Sequence, residues 1–437
     1  MLSLNSLRSS DPAPAAERAV SKGTVVTSDR EALETLKGYI QASGQLTGSQ
    51  PNSPRRALII AVQYGVHVVR APLAGTVRDA VLAYRMLCGQ ENSFGYKPTE
   101  IRILVEGLES LDSKIRPTPD NIRESLKWLV EGAGSEDYRF LYYSGHGTYV
   151  ETNEKDGKQA LEIPSGNPRT GDPDLDRSSA NTEQWNRIRT LDVPKDKLKY
   201  YKEAIVASYA LGGSNELSDY FIYDQELNDY MSKLPPGCKL TSLIDACHSG
   251  RILNCNFKEE GDGFRAIGHG SGKEAQDRAE VDASSTQDAP SSEDLEDPSE
   301  AAKLLEEIRT STKYTFAPGL TSAPLVTLTE DLPDKEKQRD KIVAEVLHWS
   351  GCHQRQTSIL AAAASVFTLA FAETVKASDV KSWTVQKVFD ELNKAIKAAS
   401  SNHLQYAQVW TSLGKGSKED AESKLKGNFY KFLGYQD

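Results

Sequence analysis

CKLTSLIDACHSG, residues 238–250, is the stretch on which the reading of this chain turns. A short apolar run leads to an acid, then to a thiol beside an imidazole, then to Ser-Gly. Such a run, bounded by turn residues, reads as a strand buried in a sheet, so Cys247 falls just past a strand's carboxyl end. A free cysteine there is most often a buried filler. It becomes a nucleophile only where a base or imidazolium supplies the thiolate at neutral pH.

Working outward, YRFLYYSGHG (138–147) is a second apolar run, ending in Gly145-His146-Gly147. RRALIIAVQYG (55–65) and EIRILVEG (100–107) read as further strands, the first apolar almost throughout, as in a parallel sheet covered on both faces. Helical spacing runs through LAGTVRDAVLAYRMLCG (73–89) and TPDNIRESLKWLVEGA (118–133), where Thr118 is the cap and Pro119 sits in the first turn. After residue 338 the alternation resumes. KIVAEVLHWSG (341–351) is a strand, 361–375 an apolar helix, 382–399 an amphipathic helix, and LQYAQVW (404–410) a last strand. The prediction is an α/β fold: a mainly parallel sheet with helices on both faces, completed by the C-terminal part. Ligands in such folds sit at the carboxyl ends of the strands, where His146 and Cys247 both fall. His248 adjoins Cys247 and in extended chain points the other way, so His146 is the preferred partner.

Four regions follow: a leader over 1–53 with one short helix at 30–40; a first sheet-building region over 54–257; an acidic linker over 258–338; and a completing region over 339–437. Residues 165–218 read as a polar insertion without a clear strand. From Lys258 to Thr310 there are 15 Asp plus Glu against 6 Lys plus Arg, so the net charge of −10 is local and no basic patch recommends nucleic acid. The tract is poor in aromatics, and disorder is predicted for it. No stretch reaches the roughly 18 apolar residues of a membrane span, and the N-terminus lacks a secretory core. Five cysteines without an export signal imply reduced thiols in the cytosol, with the nucleus as the alternative.

With YYSGHG followed by DACHSG, and with ALIIAVQYG, LAGTVRDAVLAYRML and WSGCHQRQTS alongside, the chain is similar to the metacaspases, caspase-like cysteine peptidases. The resemblance covers about 57–164, 220–257 and 340–410. It implies a caspase-like fold and peptide-bond hydrolysis by a Cys247–His146 dyad. It also implies cleavage after Arg or Lys, with Asp79, Ser144 and Asp245 binding the basic side chain, and Cys352 near the site. Paired carboxylates hold a guanidinium by charge-assisted, bidentate hydrogen bonds. Peptide or protein substrates and a monomeric state are implied, and no membrane partner.

The departures are specific. Cys247 follows His146 by 101 positions, against roughly 50 in caspase-type sequences. Metacaspases are usually calcium-activated through acidic residues. Where the family reads D-G-x-D-E, this chain has DGKQA, with Gln159 and Ala160 at acid positions. D-D-E becomes Asp224-Gln225-Glu226, and Asn254 stands at a further acid position. No cofactor is therefore required. Calcium, if bound, would use Asp224, because a hard cation wants 6–8 oxygens. Asp172, Asp174, Asp176 and Glu183 have EF-hand spacing, but Arg177 replaces the glycine and a solvated loop is the better reading. Self-cleavage in the linker is expected at Lys258, Arg265, Lys273 or Arg278. A second reading, from a different class, is a caspase-fold scaffold whose enzyme has decayed.

Overall fold

The computed structural model describes residues 27–48, 50, 52–65, 73, 75–89, 92–153, 158–162, 198–208, 217–246, 252–255, 257–260, 315–316, 325–327, 341–351, 359–360, 364–399, 407–412 and 423–435. Its centre is a seven-stranded sheet in the order β2-β1-β3-β8-β12-β14-β9. These strands are β1 (Arg55–Ala61), β2 (Ile101–Val105), β3 (Tyr138–Ser144), β8 (Lys239–Asp245), β9 (Phe257–Glu260), β12 (Glu345–Ser350) and β14 (Gln408–Thr411). From β2 to β12 every pairing is parallel; β14 and β9 close the edge antiparallel. The expected mainly parallel α/β architecture is therefore present.

One face carries α1 (Thr27–Ser43), α2 (Thr76–Leu87), α5 (Val366–Thr374) and α6 (Val385–Ala399). The other carries α3 (Pro119–Val130) and α4 (Asp224–Ser232). Alternation in the strands divides the core: Tyr142 and Leu243 point to the first face, Tyr143 and Ile244 to the second. α3 starts as its sequence predicts, with the Thr118 hydroxyl accepting the Asn121 N–H at 3.3 Å. Trp349 of β12 anchors the first core, edge-on to Phe371 at 5.3 Å between ring centroids.

Three expectations need correction. The helix expected at 30–40 runs over Thr27–Ser43 and packs against α2, burying Ala32, Leu36 and Ile40 at a four-residue spacing. Its second half is thus part of the core. The stretch read as strandless contains β6 (Leu198–Val206), the spine of a second sheet. Tyr200, Tyr201 and Lys202 hide its alternation among polar neighbours. That sheet runs β11-β5-β6-β4, with β4 (Gly147–Thr152), β5 (Lys158–Glu162) and β11 (Leu325–Thr327), and β7 (Phe221–Tyr223) also pairs with β6. All its pairings are antiparallel. Finally, the acidic linker is not structureless throughout, because β9, β11 and β10 (Thr315–Phe316) lie within or across its bounds, β10 pairing with β13 (Ile359–Leu360). Among the described residues no helix is long and apolar enough to cross a membrane.

Candidate active site

β1 is flanked by β2 on one side and β3 on the other, so chain direction along the sheet reverses between β1 and β3, the place where open α/β sheets leave a crevice. His146 follows β3 there. Ser144, the last residue of β3, is the register partner of Asp245, the last of β8. His146 and Cys247 each lie two residues beyond that pair. The Gly145 N–H donates to the Asp245 carbonyl at 3.2 Å, tying the two strand ends together. Cys247 itself lies outside the described residues, as do Cys352, the Asp172–Glu183 loop, Arg265, Lys273 and Arg278.

The histidine loop is held from below by two tyrosines. The His146 N–H donates to the Tyr64 hydroxyl at 2.9 Å, and the Tyr64 ring lies 4.5 Å from the imidazole, centroid to centroid. The Tyr143 hydroxyl donates to the His146 carbonyl at 2.8 Å, and the Val206 N–H reaches the same carbonyl at 3.0 Å. His146 is only 2% exposed. Tyr64 achieves this in a left-handed backbone conformation (φ 59°), a state that costs energy for a bulky residue and is held by surrounding bonds. Glu106 supplies two of them, accepting from the Gln63 and Gly65 amides. Gly145 is constrained by the same two tyrosines: a Cβ there would stand 2.5 Å from the Tyr143 hydroxyl and 3.0 Å from that of Tyr64.

Asp79 (α2), Ser144 (β3) and Asp245 (β8) meet on the α2–α5 face. Ser144 Oγ donates to Asp79 Oδ2 at 2.8 Å. Ser365, just before α5, bridges the two acids: its N–H donates to Asp79 Oδ1 at 2.9 Å and its hydroxyl to Asp245 Oδ2. Thr368 Oγ1 also donates to Asp245 Oδ2, at 2.7 Å. Sequence reading missed Ser365 and Thr368 because they sit in a run read only as apolar. Gly351 packs so closely that a Cβ would meet Asp245 Oδ1 at 2.9 Å. Asp79 is fully buried, and burial first, then the Asp245 charge, pushes its carboxyl up from 3.8 to about 8. The pair thus carries negative charge that its surroundings resist.

The cysteines separate on the same physics. Burial pushes Cys238 up to about 11 and Cys255 up to about 12, so both stay protonated and inert at neutral pH. With Cys88 they are free thiols.

Of the calcium-related positions, Glu226 is engaged by Arg123, whose Nε and a terminal N–H donate to its two oxygens at 2.7 and 3.2 Å. Asp224, the candidate metal ligand, instead accepts from the ammonium of Lys158, which also lies 3.2 Å from Glu203 Oε2. Lys158 and Glu203 were not foreseen: one is the variable position of DGKQA, the other lies in the stretch read as strandless. Lys258, a candidate cleavage position, is in β9 opposite Trp410, so its backbone is engaged in a sheet ladder.

Residues 55–169 and 201–256 match the family model described as metacaspase, peptidase C14 domain. Metacaspase-4 of Arabidopsis thaliana is 29% identical over 53% of this chain and 40% of its own length. Metacaspase-1 of Eremothecium gossypii is 28% identical over 48% of this chain and 35% of its own. Metacaspase-1 of Arabidopsis thaliana is 28% identical over 49% and 44% respectively. The chain therefore spans less than half the length of these curated relatives.

Proposed function

We propose, from the premise that residues 55–169 and 201–256 are metacaspase-like, that this chain is a cysteine endopeptidase cutting peptide bonds after Arg or Lys. The observation that supports the reading is the shared register of β3 and β8: Ser144 stands opposite Asp245 beside a buried acid pair, and His146 and Cys247 follow those two residues in the sequence at the same offset.

In the proposed reaction His146 accepts the Cys247 Sγ proton, and the thiolate attacks the scissile carbonyl carbon. The tetrahedral adduct collapses to a thioester as the imidazolium gives its proton to the leaving amine. Water, deprotonated by His146, then hydrolyses the thioester and frees the thiol. Tyr64, Tyr143 and Val206 hold the His146 backbone and the Tyr64 ring packs on the imidazole, which favours the orientation such proton transfers need. A substrate guanidinium offers its planar fork to Asp79 and Asp245, displacing hydroxyl donors and offsetting the burial and the Asp245 charge that together raise the Asp79 pKa.

Fluorogenic peptides ending in Arg, Lys or Asp test this with the wild type beside Cys247→Ala. Turnover of the Arg and Lys peptides only, abolished by Cys247→Ala, is the expected result. Equal rates in both proteins would end the proposal. Self-processing belongs to the same proposal: with Lys258 engaged in β9, new termini are expected after Arg265, Lys273 or Arg278, and only in the active protein.

A further inference from the structure

The family likeness leads one to expect carboxylates gathered around calcium, and the residues present do not fit that ion. Calcium takes 6–8 oxygens, usually several from carboxylates. Gln159 and Ala160 occupy two acid positions, Glu226 is engaged by Arg123, and a side-chain ammonium already lies between the remaining acids. Lys158, at the start of β5, is 0% exposed along its side chain; Glu203 of β6 and Asp224 of α4 are equally enclosed. A buried ammonium is tolerated only where opposite charge offsets its lost hydration. Here two enclosed carboxylates supply it, Glu203 Oε2 at 3.2 Å and Asp224 Oδ2 in direct contact with the ammonium.

We infer that Lys158 is a tethered cation standing where a divalent metal would otherwise be required, clamping the segment that holds His146 to the segment that follows Cys247. Two chains of bonds leave the ammonium. Through Glu203 it holds β6, whose Val206 N–H bonds the His146 carbonyl three residues on. Through Asp224 it holds the first turn of α4: Asp224 Oδ1 accepts the Gln225 N–H at 2.8 Å, and Oδ2 accepts the Glu203 N–H at 3.3 Å. One turn further, Asn228 donates its amide to the Asp224 and Ile252 carbonyls, at 2.6 and 3.0 Å, and accepts the Asn254 N–H at 2.7 Å. Ile252 and Asn254 lie five and seven residues after Cys247. An ammonium on a side chain cannot diffuse away, so the clamp is closed at any calcium concentration. As regulation this rests on the proposed peptidase; as architecture it does not.

The test uses the full chain, with calcium alone as the probe and melting and amide exchange as readouts, so it works on a chain without turnover. Wild type should melt at the same temperature in chelator and in millimolar calcium. Lys158→Ala should melt lower in chelator, with Val206 and Asn254 amides exchanging at least about tenfold faster, and calcium should reverse both saturably. A wild-type melting temperature that climbs saturably with calcium, and loses that response in Asp224→Asn, would overturn the inference. So would a Lys158→Ala protein with unchanged melting and exchange, or one whose losses calcium does not repair. Should Lys158→Ala fail to fold, the neutral variant Lys158→Met/Glu203→Gln/Asp224→Asn decides. Its folding without calcium dependence supports charge compensation as the role of Lys158; its failure to fold refutes it.

Discussion

Two pairs of buried carboxylates lie on opposite sides of the main sheet, and their treatment differs. Asp79 and Asp245 are bonded by neutral donors, the Ser144, Ser365 and Thr368 hydroxyls and one amide, and the Asp79 proton is held to about pH 8. Asp224 and Glu203 share an ammonium. The lesson is electrostatic. An acid pair bonded by hydroxyl and amide dipoles can exchange those donors for a cation and is suited to binding one transiently. An acid pair with an internal lysine has met that preference within the chain and is suited to holding the fold.

The sharpest way to break the comparison is to remove the internal cation. Lys158→Met leaves two buried carboxylates facing each other, and loss of one partner of such a group costs about 3–5 kcal/mol. Urea denaturation should show that loss in chelator. A change below about 1 kcal/mol, the range of exposed ion pairs, would erase the distinction between the pairs. Next in size is Asp245→Asn. It keeps the shape while removing a charge, so the fold should persist and kcat/KM for Arg peptides should fall by roughly 10–100-fold, the worth of a charge-assisted bond. Unchanged selectivity would move basic specificity away from this pair.

The pH response sharpens the contrast further. Because folding raises the Asp79 pKa above its unfolded value, its contribution to stability is full below pH 4 and is lost as pH rises through about 8. Wild type should therefore lose more melting temperature between pH 5 and 8.5 than Asp79→Asn does. A guanidinium ligand such as agmatine should bind more tightly across the same window, since it favours the ionised acids. Parallel melting profiles for the two proteins would contradict this. The smallest effect is expected at Arg123→Ala. The Arg123–Glu226 pair is bidentate but a quarter or more exposed on each side, so double-mutant analysis should give at most about 1 kcal/mol.

The same two pairs mark where sequence reading succeeds and stops. Asp79, Ser144 and Asp245 were legible only through the family resemblance, because an acid in a helix's first turn or at the end of a buried strand reads by itself as a solvated face or a turn. His146 and Cys247 were legible more directly, as an imidazole and a thiol each just past a strand's carboxyl end. Ser365 and Thr368 were not, because one serine and one threonine in an apolar run look like ordinary helix residues until α5 is docked on α2. Glu203 was hidden in a strand whose tyrosines and lysines mimic a polar insertion, and α1 extended past the segment its short apolar pattern marked.

By itself the sequence determined six of the seven strands of the main sheet, most of its helices and the two strand ends that carry His146 and Cys247, because burial on both faces writes long apolar runs and strand ends follow at countable offsets. Only the tertiary structure decided that Lys158 meets Glu203 and Asp224. Those residues come from three elements, brought together by the antiparallel pairing of β5 on β6 and the seating of α4 beneath them. No local pattern records that meeting. A charged side chain reads as solvent-facing from sequence, and it becomes a buried clamp only when the fold supplies its opposite charges.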